Sequence, residues 1–249
     1  MLIDVHTHLT LPAFDQDRDT VMERNKNVLI IENGLYAESN LQVLELCKRY
    51  ANVKAALGIY PTHAVDLAEE QFYLQLKWIK KQKNQCVAVG EIGLDLQEIE
   101  SLQLQRERFI QLVELAKKMH KPVIVHSRKA EKETVETLQS LNYKKVIMHC
   151  FCGNMKLVKQ IEDAGWCITI PSLVITSQHF QHVASRVNIN QLLTETDAPY
   201  LNPVKEERNE PKNVMHAIKK IAEIKKLECD EVEKNIFMNA QKMLLMREK

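Results

Sequence analysis

Two imidazoles follow a carboxylate at every second position near the start of the chain, in Asp4-Val-His-Thr-His8. In extended backbone, positions 4, 6 and 8 share one face, and two imidazoles on one face at a strand end form a ready pair of metal ligands. The same chemistry recurs one group at a time further on. Glu91 stands in Val89-Gly-Glu-Ile-Gly93, His126 ends Val123-Ile-Val-His126, His149 ends Val146-Ile-Met-His149, and Asp197 ends Leu193-Thr-Glu-Thr-Asp197. Four imidazoles and two carboxylates exceed what one tetrahedral site takes, and suit two metals sharing a carboxylate. Asp197 is the best general base, with a pure ligand or a helix N-cap as its other readings. Asp4 and Glu195 read as groups that orient ligands, Glu195 equally as an inward-facing core residue. Among the other histidines, His120, His179, His182 and His216 read as surface or packing residues, while His63 lies in a loop and stays open.

Each of these groups ends or follows a short apolar, β-branched run. The runs are Leu2–Val5, Val28–Ile31, Val53–Leu57, Cys86–Val89, Val123–Val125, Val146–Met148, Cys167–Ile170 and Leu192–Thr194. Near-continuous apolar runs fit parallel strands buried on both faces. Amphipathic helical stretches separate them, the clearest being Gln103–Met119, and two more, Lys212–Leu227 and Asp230–Met246, follow the last. Eight βα units predict a (β/α)8 TIM barrel with extra C-terminal helices, a single domain over 1–249, with a doubly wound open sheet as competitor. In a barrel all strand C-termini share one face, so the six groups converge where such folds build active sites.

Composition sets the outer bounds. With 34 Lys+Arg against 33 Asp+Glu, the net charge of +1 argues against a protein that coats duplex DNA and leaves room for a local basic site. No apolar run approaches a membrane span and no signal peptide is evident, so a cytoplasmic protein is expected, with no obligate protein partner. The six scattered cysteines read as reduced thiols, and the Cys150/Cys152 pair is only a weak metal signal. Arg128 and Arg208 are the candidates for meeting a phosphate, against a structural salt bridge or solvated surface; Lys205 is a weaker one. Tyr36, Tyr60, Phe151 and Tyr200 follow predicted strands and could offer stacking faces at the mouth, or simply pack its rim.

These pieces together resemble the TatD family of metal-dependent deoxyribonucleases and hydrolases. The matching segments are Asp4-Val-His-Thr-His8, Gly90-Glu-Ile-Gly-Leu-Asp95, Gln105-Arg106, Pro122-Val-Ile-Val-His-Ser-Arg128, His149-Cys-Phe151, Thr194-Glu-Thr-Asp-Ala-Pro199 and Arg208-Asn-Glu-Pro211, in family order across nearly the whole chain. The resemblance implies a TIM barrel with two divalent ions (Zn, Mn, Mg or Ni). His6, His8, Glu91 and Asp197 would hold the first, and Glu91, His126 and His149 the second, with Glu91 bridging and Glu91 and Asp197 as the catalytic groups. It implies hydrolysis of phosphodiesters in DNA, as a 3′-5′ exonuclease on single-stranded ends. The alternative is a metal-dependent amide or ester hydrolase resembling a D-aminoacyl-tRNA deacylase. Arg128 and Arg208 converging on the metals would favour phosphate. A non-catalytic scaffold would be expected to have lost ligands, and all six are present. The chain departs from the family at Gly58-Ile-Tyr-Pro61, where the family reads Gly-x-His-Pro with the histidine near the substrate phosphate. Tyr60 donates one hydrogen bond but carries no charge near neutral pH, and His63 replaces that histidine if the loop bends back.

Overall fold

The computed structural model describes residues 1–97, 101–204 and 207–246. Eight strands form one parallel sheet in chain order: β1 (Leu2–Thr7), β2 (Val28–Asn33), β3 (Val53–Leu57), β4 (Cys86–Asp95), β5 (Val123–Arg128), β6 (Val146–Met148), β7 (Cys167–Pro171) and β8 (Leu192–Glu195). Ten α-helices lie between and after them among the described residues: α1 (Arg18–Arg24), α2 (Ala37–Arg49), α3 (Pro61–Asp66), α4 (Glu69–Lys81), α5 (Leu102–Met119), α6 (Glu131–Ser140), α7 (Met155–Asp163), α8 (Gln178–Arg186), α9 (Val214–Lys225) and α10 (Cys229–Ala240). Every residue of β2, β6, β7 and β8 is buried, as a sheet enclosed by helices requires. The expected barrel is the fold, and α10 follows α9 with no ninth strand between them.

The seam between β8 and β1 is closed by mixed means. Thr7 and Ala198 form a single parallel bridge, the Asp197 amide donates to the His6 carbonyl at 2.9 Å, and the His8 amide donates to the Ala198 carbonyl at 2.8 Å. Deeper in, the Thr194 hydroxyl donates to the Ile3 carbonyl at 2.7 Å. Asp4, read as an orienting group, joins this seam: it accepts from the amides of His6 (3.2 Å) and Thr196 (3.0 Å).

β4 runs past Glu91 to Asp95, further than its apolar run predicts. Against β5, Val89 pairs with Val123 and Ile92 with Val125, so β4 carries one extra residue around Gly90-Glu91. β1 has the same irregularity between Asp4 and Thr7 against β2. Such bulges re-aim side chains beside active sites, and these two flank Glu91 and His6. Gly93 has φ +150°, and a Cβ there would stand 2.0 Å from the His126 carbonyl oxygen, so only glycine lets β4 lie this close to β5.

Candidate metal centre

The C-terminal ends of β1, β4 and β8 bring the first four candidate ligand atoms together. The Nε2 atoms of His6 and His8 are 3.0 Å apart. Each is 3.4 Å from Glu91 Oε2, and they stand 3.6 and 3.5 Å from Asp197 Oδ1. A tetrahedron built on bonds of about 2.0–2.1 Å has edges of about 3.3 Å, close to this spacing. Asp197 takes its place with a left-handed backbone, φ +57°, a conformation that aspartate tolerates better than most residues.

A second cluster shares Glu91. Its Oε1 lies 2.8 Å from His126 Nδ1 and 3.8 Å from His149 Nε2, so the two oxygens of one carboxylate face different clusters. All of these groups are buried except Asp197, whose side chain is partly open to solvent.

The outer nitrogens of three imidazoles are fixed by neighbours. His8 Nδ1 faces the Asn33 carbonyl at 3.1 Å, His149 Nδ1 faces Glu195 Oε2 at 2.8 Å, and His126 Nε2 faces Asp95 Oδ2 at 3.1 Å. A ring N–H donated outward leaves the other nitrogen's lone pair directed at the cavity, the state a metal ligand needs. His6 Nδ1 has no hydrogen-bond partner among the described residues, and the His6 ring stacks on that of His149 with centroids 3.6 Å apart. Glu195 thus orients His149, and its other oxygen accepts from the Cys150 amide at 3.0 Å. Residue type and spacing alone mark out neither Asp95 nor the Asn33 carbonyl for these roles. The signal for Asp95 was its place in Gly90-Glu-Ile-Gly-Leu-Asp95, two residues beyond Gly93.

Each cluster pairs an imidazole lowered by burial, His6 or His149, with one raised by its carboxylates, His8 or His126. Burial pushes His149 down to about 4, so it is neutral. At His126 the carboxylates of Asp95 and Glu91 outweigh burial and raise it to about 9. Burial acts upward on Glu91, but His6, His126 and His8 overcome it and hold the carboxyl well below its usual range. Burial likewise opposes the ionised form of Asp197, and hydrogen bonding from His8 outweighs it and holds the carboxyl below its usual range. The residues therefore fit divalent ions: neutral or displaceable imidazoles and anionic carboxylates at metal-ligand spacing.

A cavity of ≈ 540 Å³ opens over these groups, lined also by Leu35, Tyr60, Thr62, His63, Arg128, Tyr200 and Leu201. Arg128 is the one lysine or arginine among its described lining residues, and its Nε stands 3.7 Å from Asp95 Oδ2. Tyr60 lies at this wall, but its hydroxyl is 2.6 Å from Asp95 Oδ2 and donates there. His63 is exposed at the rim, its ring 6.5 Å from that of Tyr60 and 4.8 Å from that of Tyr36, which lines a neighbouring groove. Tyr200 is 56% exposed and open to stacking.

Two expectations need correction. Arg208 does not converge on the cavity. Asp17 grips its guanidinium with two bonds of 2.8 and 2.7 Å, the Ala13 carbonyl takes another at 2.6 Å, and the group lies 4.3 Å over the Phe14 ring. A bidentate carboxylate and an aromatic face satisfy the fork, leaving it a structural ion pair. Phe151 is fully buried and offers no stacking face. Lys205 lies outside the described residues.

Residues 3–245 match the family model described as TatD related DNase. The chain is 36% identical to an uncharacterized metal-dependent hydrolase of Methanocaldococcus jannaschii, covering 98% of this chain and 97% of that one. It is 32% identical to the human deoxyribonuclease TATDN3, covering 97% and 94%. The crystal structure of a TatD homologue from Escherichia coli superposes with a TM-score of 0.91 at 25% identity, covering 99% and 98%.

Proposed function

Since the chain belongs to the TatD family of metal-dependent hydrolases, we propose that it is a deoxyribonuclease that holds two divalent ions and shortens single-stranded DNA from the 3′ end. The observation that carries the two-ion reading is Glu91, one carboxylate with an oxygen turned to each ligand cluster. His6, His8, Glu91 and Asp197 would hold one ion; Glu91, His126 and His149 would hold the other. Bound ions of this kind supply an acidified water as nucleophile and positive charge for the oxygens of the scissile group. Asp197, ionised and partly open to the cavity, accepts the proton of the attacking water. Arg128 lines the cavity and can meet a phosphate there with two parallel N–H groups. Tyr200 and His63 at the rim offer rings on which an unpaired base can stack, which requires no sequence preference. The substrate is supported by relatives named deoxyribonucleases.

The second reading, a metal-dependent amide or ester hydrolase, gains from one observation: Arg208 is held by Asp17 rather than brought to the cavity, so among the described residues a single arginine lines it. The test uses metal-stripped protein with Mg, Mn or Zn added back, in single-turnover reactions on 3′- and 5′-labelled single-stranded oligonucleotides. Stepwise loss from the 3′ end is expected, falling by a factor of about 10²–10⁴ in Asp197→Ala. Folded, metal-loaded protein that leaves both oligonucleotides intact overturns the nuclease reading and points to amide or ester substrates.

A further inference from the structure

We propose that Tyr60 is a positioning residue that sets how tightly the second-cluster ion is held, acting through Asp95 on His126. This rests on the reading that Glu91, His126 and His149 hold a divalent ion. His126 offers Nδ1 to the cluster, 2.8 Å from Glu91 Oε1, and can do so with a lone pair only if its ring proton sits on Nε2. Asp95 Oδ2 accepts that proton at 3.1 Å. Tyr60 fixes the acceptor, because its hydroxyl donates to the same oxygen at 2.6 Å, and it lies 3.1 Å from His126 Nε2. The rest of Asp95 is already held. Its amide donates to Gln105 Oε1 at 2.8 Å, its carbonyl accepts from Gln105 Nε2 at 2.7 Å, and its Oδ1 accepts from the Gln97 amide at 2.9 Å. Oδ2 is thus the carboxylate oxygen that the tyrosine and the imidazole share as hydrogen-bond donors, with the Arg128 Nε further off at 3.7 Å.

Tyr60 is itself well placed. Its amide donates to the Leu35 carbonyl at 2.8 Å, and Pro61 opens α3 directly after it. Its ring tilts against that of His126, with centroids 4.9 Å apart. A phenol has one proton, and here it points at Asp95, so Tyr60 does not offer it to an anionic substrate. The tyrosine therefore serves the ligand shell rather than the substrate.

Zinc titration of the metal-stripped protein by calorimetry tests this. Two classes of site are expected in the unsubstituted protein. Tyr60→Phe is expected to leave one class unchanged and weaken the other about 10- to 100-fold, the usual effect of losing a partner behind a metal-bound imidazole. Tyr60→His keeps a ring N–H near Asp95 and is expected to restore the affinity. Asp95→Asn should weaken the same class, and adding Tyr60→Phe to it should weaken it no further, because Tyr60 acts through that carboxylate. Two unchanged classes in Tyr60→Phe, or additive losses in the double variant, overturn the proposal while leaving the two-ion reading intact. A single class in the unsubstituted protein, unaffected by His126→Ala, overturns both.

Discussion

At the scale of single residues, the centre depends on where each imidazole keeps its one proton. His8, His126 and His149 each have one nitrogen against a carbonyl or carboxylate and the other toward the cavity. His126, like His8, is raised by carboxylates against the pull of burial, Asp95 and Glu91 lifting it to about 9. Below that value the metal-free ring is protonated on both nitrogens, and the Nδ1 proton must leave before an ion can bind. Ion binding at this cluster is therefore expected to release about one proton near neutral pH and to strengthen with pH, by up to about tenfold per unit, until His126 titrates. Calorimetry in buffers of different ionisation enthalpy reads this directly; an enthalpy independent of buffer would mean that His126 is already neutral. Much of this residue-level chemistry is written in the sequence, since His and carboxylate types at strand ends are visible without coordinates. Their partners are not: Asp95 is four residues from Glu91, Glu195 two from Asp197, and nothing in that spacing says which imidazole each will face.

At the scale of elements, the irregularities matter more than the regular strands. Without the extra residue at Gly90-Glu91, a strict twofold alternation would give Glu91 a different direction relative to its neighbours. The apolar run in the sequence stops at Val89 because Gly90, Glu91 and Gly93 do not look like strand, yet β4 continues to Asp95. That extension places Asp95 in register with Arg128 and Gly93 in register with His126. Gly93→Ala forces a methyl against the His126 carbonyl oxygen in this register. We expect it to destabilise the protein by more than about 4 kcal/mol, beyond the usual range of single substitutions. Denaturant unfolding measures this, and an unchanged midpoint would show that β4 can move away from β5 at little cost. The helices were more legible, because their amphipathic period survives in the sequence. Gln103–Met119 misses α5 by one residue, while Asp230–Met246 starts one residue late and runs past the end of α10 at Ala240.

At the scale of the whole molecule, the two ends of the sheet are sewn together by the segment that carries Asp197. His6, His8, Asp197 and Ala198 exchange the backbone bonds of the seam, so closing the barrel and assembling the first ligand cluster are one event. Beyond it, Arg208 clamps Asp17 and Arg24 clamps Glu210, at 2.9 Å from Nε to Oε2, fastening the loop after β8 to the region before β2. Arg208→Ala is accordingly expected to lower the Tm while leaving KM for an oligonucleotide unchanged. Arg128→Ala is expected to do the reverse, lowering kcat/KM about 10- to 100-fold through loss of a charged hydrogen bond. Thermal unfolding and steady-state kinetics on the two variants separate these roles, and a large KM effect from Arg208→Ala would return that residue to the substrate. The sequence by itself determined the strand count, the barrel and which six imidazole and carboxylate groups converge, because burial on both faces writes a continuous apolar run and strand ends carry the few residue types that ligand chemistry admits. Only the tertiary structure decided that Arg208 belongs to Asp17, that Phe151 is core, and that the Tyr60 hydroxyl serves Asp95. Those outcomes depend on which of several chemically suitable partners lies within hydrogen-bond reach, and that distance is set by how strands far apart in the chain come together.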